Sequence, residues 1–101
     1  MPITKFSLYP HYLNQISHIF KVLGCPARLT ILKYLLDYGP SNNKQLVEYL
    51  QLKQSTVSEH LKQLISIDLV EANQQETSMI YKINVSVWQN MPWLTELFDM
   101  D

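Results

Sequence analysis

Little in this chain of 101 residues equips it for catalysis, export or charge-driven binding. A single cysteine cannot close an intrachain disulfide, which fits a reducing, cytoplasmic setting. No run of about 18 apolar residues occurs, and MPITKFSLYP lacks the apolar centre of a signal peptide, so neither a membrane helix nor an export signal is expected. Only two glycines are present, Gly24 and Gly39, and each follows a helical repeat. A glycine-rich phosphate loop, a nucleophile elbow and a metal-hydrolase motif are all missing. Ser58 and His60 stand two positions apart on a predicted helix and point in different directions. The chain therefore reads as a non-enzyme with no cofactor. His11 and His18 lie seven residues apart, about 10.5 Å along a helix, as do His18 and Cys25, which is too far to share one ion. No metal site is expected.

What is present is apolar and unevenly charged. A hydrophobic content of 47% describes one globular domain over residues 1–101. A chain this short buries only about two thirds of its unfolded surface, so further burial against a partner chain would add stability. The net charge of −1 conceals an asymmetry: residues 1–64 hold seven cations and three acids, whereas residues 65–101 hold one cation and six acids. The basic half is weakly basic, so any nucleic-acid affinity without specific base contacts should be low.

The apolar spacing predicts helices over residues 9–23, 26–38, 44–50 and 54–68. Gly24 ends the first, Pro26 opens the second, and Gly39-Pro40 stops it. Asn42 and Gln45 have capping-box spacing at the start of the third. In the fourth, Val57, Leu61, Leu64 and Ile65 line one face while Ser55, Glu59, Lys62 and Ser66 fall opposite. Two β-branched runs, 69–73 and 79–85, separated by polar residues, predict a hairpin. Helical spacing returns over 87–98, with Pro92 either starting or kinking that segment. The order α-α-α-α-β-β-α is mainly helical with a small β-hairpin, a winged helix-turn-helix.

Two short helices joined by a tight turn, the second polar at its start, suit insertion into a major groove. DNA-contact candidates are therefore Gln54, Ser55, Thr56, Ser58, Glu59, His60 and Lys62, with Asn43 and Lys44 placed for backbone phosphate at a helix N-terminus. Ser58 and His60 flank the apolar stripe, and either a DNA contact or an interior role fits them. Cys25 precedes a helix N-terminus, a setting used by redox-sensing thiols, although it lacks a resolving partner.

The segments LGCPARLTILKYLL, QLVEYLQLKQSTVSEHLKQLISIDLV and IYKIN resemble the ArsR family of bacterial winged-helix repressors over residues 20–85. The resemblance implies a homodimer on a pseudo-palindromic operator, with the first and last helices packed between subunits and repression relieved by a ligand, often a metal ion. Aromatic residues concentrated at the two ends point to the same pairing, with Tyr9, Tyr12, Ile16, Phe20, Trp88, Met91, Leu94 and Phe98 as dimerisation candidates. The family's cysteine-bearing third-helix metal site would fall near residues 45–49, which hold no cysteine or histidine, and the tail has no histidine for a last-helix site. Arg28, the one arginine, occupies a family-typical position where an ion pair is expected. Lys53 replaces the usual capping serine and gains a phosphate as its prospective partner. Asp68 replaces the usual glycine, and aspartate tolerates the left-handed backbone. The wing tip, 73–78, has no Arg, Lys or Gly and carries Glu76, so little affinity is expected from it. Two rivals stand beside the repressor reading: a redox-responsive regulator using Cys25, and a winged-helix protein-interaction module that has lost DNA binding.

Overall fold

The computed structural model describes residues 8–99. Nine elements follow one another: α1 (His11–Leu23), α2 (Pro26–Tyr38), β1 (Ser41–Asn42), α3 (Asn43–Leu50), α4 (Gln54–Ser66), β2 (Val70–Gln75), β3 (Ser78–Ile83), α5 (Val85–Gln89) and α6 (Pro92–Phe98). None of these helices is long and apolar enough to cross a membrane. Pro10, at φ −55° and ψ 142°, holds the chain extended, so α1 begins at His11 rather than two residues earlier. Pro26 opens α2, as its fixed φ and missing N–H allow.

The core is a single cluster in which Ile31, Leu32 and Leu35 of α2 meet Leu46 of α3, Val57, Leu61 and Leu64 of α4, and Leu69 and Val70 at the start of the hairpin. From α1 only Val22 and Leu23 are buried. The radius of gyration is accordingly 14.9 Å, against about 13 Å for a compact chain of about 100 residues. The first helix projects from the body.

The fourth helix ends at Ser66, two residues before the expected end, and three larger departures from the sequence reading lie in the sheet and the tail. A two-residue strand, β1, pairs with β3 (Ser41 opposite Tyr81), giving a three-stranded antiparallel sheet in the order β1-β3-β2. Two residues carry no periodicity, so only the tertiary pairing reveals them. The hairpin runs on through its polar residues to Gln75 opposite Ser78, which shrinks the expected loop to Glu76 and Thr77, with Glu76 at φ 50°. The tail divides at Met91: Asn84 caps α5 by accepting from Val87 N–H, and Pro92 starts α6.

Gly39 sits at φ 82° and ψ −166°, a region essentially reserved for glycine, where it turns α2 into β1. Ser41 Oγ donates to its carbonyl at 3.0 Å, and Ser41 is only 2% exposed. A methyl group added at Gly39 would meet nothing within 4 Å. Gly39→Ala should therefore lower unfolding stability by about 1–3 kcal/mol through backbone strain alone, measured by urea denaturation. A neutral effect would mean that the turn relaxes freely.

Candidate nucleic-acid interface

The geometry of this face begins with the α3 cap. Asn42 Oδ1 accepts from Gln45 N–H at 2.9 Å, and Gln45 Oε1 accepts from Asn42 N–H at 2.9 Å, the reciprocal box that the spacing implies. Gln51, left-handed at φ 59°, ends α3 and turns the chain toward α4. Lys53 occupies the cap position of α4 with extended backbone and no side-chain cap bond.

Val57, Leu61 and Leu64 are at most 1% exposed and fix the rotation of α4 about its axis. Gln54, Ser55, Ser58, Glu59 and Lys62 then lie on the exposed side, with Thr56 half-buried beside them. Asn43 Nδ2 donates to Ser58 Oγ at 3.0 Å and ties the start of α3 to the middle of α4, while Asn43 Oδ1 is buried without a partner. Glu59 accepts from Gln63 Nε2 at 3.2 Å. Among the described residues the ion pairs are Lys33–Asp37 and Lys82–Glu71, which leaves Lys44, Lys53 and Lys62 uncompensated. Asn43, Lys44, Gln54 and Ser58 also line an open groove of about 370 Å³ whose far wall is Ser78, Met79 and Tyr81 of β3. The sequence reading missed that wall. Its signal is the period-2 alternation of β3, which sends Met79 and Tyr81 to one face.

His60 does not join the exposed set. It is half-buried, and its Nδ1 accepts from Arg28 Nε at 3.1 Å. Arg28 Nη1 donates to the Val22 carbonyl at 3.2 Å. The ion pair expected of Arg28 is replaced by these two contacts. Val22 lies in the last turn of α1, where carbonyls have no helical partner, so one guanidinium caps α1 and holds α4. Burial, and then the Arg28 charge, push the His60 pKa below the ordinary 6.5, while Glu59 opposes the shift.

The terminal aromatics divide. Tyr9, Tyr12, Ile16 and Phe20 are 43–61% exposed, with Leu8 and Leu13 beside them. Leu94 is instead 3% exposed, and Trp88, Met91 and Phe98 pack against the core, with Trp88 and Phe98 in edge contact at 5.3 Å. The outward side of the tail belongs to Trp93, one of the terminal aromatics in the sequence, and Leu97, an i, i+4 pair outside the named dimerisation candidates. Trp93 lies 5.6 Å from Phe20, joining both sets into one apolar face. Cys25 is part-buried at the cap position of α2. No group of three His, Cys, Asp or Glu side chains converges among the described residues.

The family model for bacterial regulatory proteins of the arsR family matches residues 25–72. An arsenical resistance operon repressor of Staphylococcus xylosus is 37% identical over 71 residues, which is 70% of this chain and 67% of that protein. This chain belongs to the ArsR family. The crystal structure of the transcriptional repressor PagR of Bacillus anthracis is 30% identical with a TM-score of 0.66, covering 82% of this chain and 95% of that one. A homodimeric winged helix-turn-helix DNA-binding domain from Mycobacterium bovis, 24% identical, shares the fold at a TM-score of 0.75 over 98% of this chain and 89% of its own. Within this ArsR chain the uncapped start of α4 is a local weakness. Lys53→Ser should supply the missing cap and raise unfolding stability by about 1 kcal/mol, measured by thermal or urea denaturation. Unchanged stability would show that the α4 start gains nothing from a hydroxyl.

Proposed function

We propose that this protein is a homodimeric, sequence-specific DNA-binding repressor that acts on a pseudo-palindromic operator without the family's usual metal-sensing sites. The observation that carries this reading is the rotation of α4. Its apolar stripe is locked inward, so Gln54, Ser55, Glu59 and Lys62 stand together on the open side. Gln54 has the donor–acceptor pair that matches adenine in the major groove, and Glu59 can accept from a cytosine amino group. Ser55, Thr56, Lys44, Lys53, Lys62 and the α3 start near Asn43 suit phosphates and base edges. Ser58 acts here by holding Asn43, and His60 by holding Arg28.

Dimerisation is supported by the apolar face from Tyr9 to Phe20 together with Trp93 and Leu97, which one chain leaves open to water. Two copies would set two α4 helices into successive major grooves about one helical turn apart. The avidity so gained offsets the small number of cations. A protein-interaction role is the second reading, favoured by Glu76 at the wing tip and by the exposed Tyr38 and Tyr49, whose rings cluster with the half-buried Tyr34 at 4.7–6.3 Å.

The test is selection of a duplex from a random-sequence pool, followed by titration at near-physiological salt. Combined Gln54→Ala and Ser55→Ala should cost at least about tenfold in affinity for the selected duplex. Lys62→Gln should weaken all duplexes alike and lower the salt slope by about 1. Phe20→Asp should convert a dimer into a monomer in sedimentation equilibrium. Equal, weak binding of every duplex by the wild-type chain would favour the interaction module instead.

A further inference from the structure

Arg28 and His60 bring three helices to one point. Arg28 enters from α2, takes the Val22 carbonyl at the end of α1, and donates from Nε to His60 Nδ1 in the middle of α4. That last bond sets a condition on the ring. An arginine has donors only, so Nδ1 must be the bare nitrogen of a neutral imidazole whose proton sits on Nε2. An imidazolium carries N–H at both nitrogens, so turning the ring over would not restore an acceptor.

We infer that His60 is a pH-dependent positioning residue: in its neutral form it anchors α4 to Arg28 and the α1 end, and protonation releases that anchor and weakens DNA binding. The inference rests on the DNA-binding reading above. The groups acting on the ring are Arg28 from α2, which opposes its protonation, and Glu59 on α4 itself, which favours it. From α1 the pair meets only the neutral Val22 carbonyl. Burial and Arg28 outweigh Glu59, so the folded chain holds the ring below the ordinary value of 6.5. The sign follows: the anchored pose is fully available above 6.5 and is lost as pH falls through the folded-state value. His18 of α1 also reaches α4, its Nε2 lying 3.0 Å from Ser66 Oγ; that hydroxyl donates to the Gln63 carbonyl, so the ring nitrogen is a donor there, a role that needs no bare nitrogen. Acid weakening of DNA binding that is lost in His60→Asn therefore separates His60 from the other histidines and from a general charge effect.

Two measurements test this. In the free protein, nitrogen NMR of the histidine rings should show Nδ1 of His60 bare at about pH 8, and the amides of Val22 and α4 should shift in step with His60 titration. In His60→Asn, whose Oδ1 retains an acceptor near the Nδ1 position without titrating, those acid-dependent shifts should vanish. By fluorescence anisotropy at fixed salt, with a duplex that the protein has selected from a random pool, wild-type affinity should fall about tenfold as pH is lowered from about 8 through the His60 titration that NMR records. His60→Asn should hold its affinity or gain over the same range. A proton on Nδ1 at about pH 8, or identical pH profiles for wild type and His60→Asn, would overturn the inference. Failure to bind any duplex at about pH 8 removes the DNA-binding reading instead, and the ring measurement then decides the anchor by itself. Amide shifts that follow His60 sustain the anchor, and an Arg28 contact unchanged by acid overturns it.

Discussion

Everything on the exposed side of this chain depends on how α4 is seated. Val57, Leu61 and Leu64 sit against α2 and α3 with essentially no exposure, and Leu69 and Val70 close the same core from the hairpin. A well-packed core tolerates little rotation of such a helix, because turning it would strip several side chains of their contacts together. The polar face is thereby aimed without any of its own residues having to hold it. Three tethers refine the seat: Asn43 of α3 to Ser58, Arg28 of α2 to His60 two residues further on, and His18 of α1 to Ser66 at the end of α4. Each runs to a different neighbouring helix, so tilt and rotation are both constrained.

Charge plays a secondary part. Lys44, Lys53 and Lys62 are the cations that the helix-turn-helix offers, and the wing tip adds neutral amides, two hydroxyls and Glu76 but no cation. Lys82 is engaged with Glu71 at 3.8 Å near the hairpin base. On the proposed function, an interface so poor in cations would gain little from phosphate neutralisation and would depend on base-edge contacts and on pairing of two copies. The exposed apolar stretch on α1 and α6 fits that need. It lies on the projecting helix, whose early residues find little cover from the other described residues.

The sequence made the four helices, the capping box at Asn42 and Gln45, and the left-handed Asp68 (φ 61°) legible, because each has a local cause. Hydrophobic period, a reciprocal side-chain bond and a side chain that tolerates positive φ can all be read along the chain. What remained hidden is tertiary. Strand β1 exists only through its pairing with β3, and the groove wall at Met79 and Tyr81 exists only once the hairpin folds back beside α3. Arg28 has its expected place in α2, yet its partners come from α1 and α4, six and 32 residues away, and neither is acidic. The tail shows the same limit. Trp88, Met91, Leu94 and Phe98 form one apolar set in sequence, but the break at Met91 turns Leu94 inward and leaves Trp93 and Leu97 outside.

The proposed function turns on α4. The most direct test is backbone amide NMR mapping of the free protein against its complex with a duplex selected from a random pool. The account predicts that the largest shifts fall on Asn43, Lys44, Gln54, Ser55, Glu59 and Lys62, with the Tyr34–Tyr38–Tyr49 cluster unmoved. Shifts concentrated on that tyrosine cluster, with α4 unchanged, would contradict it.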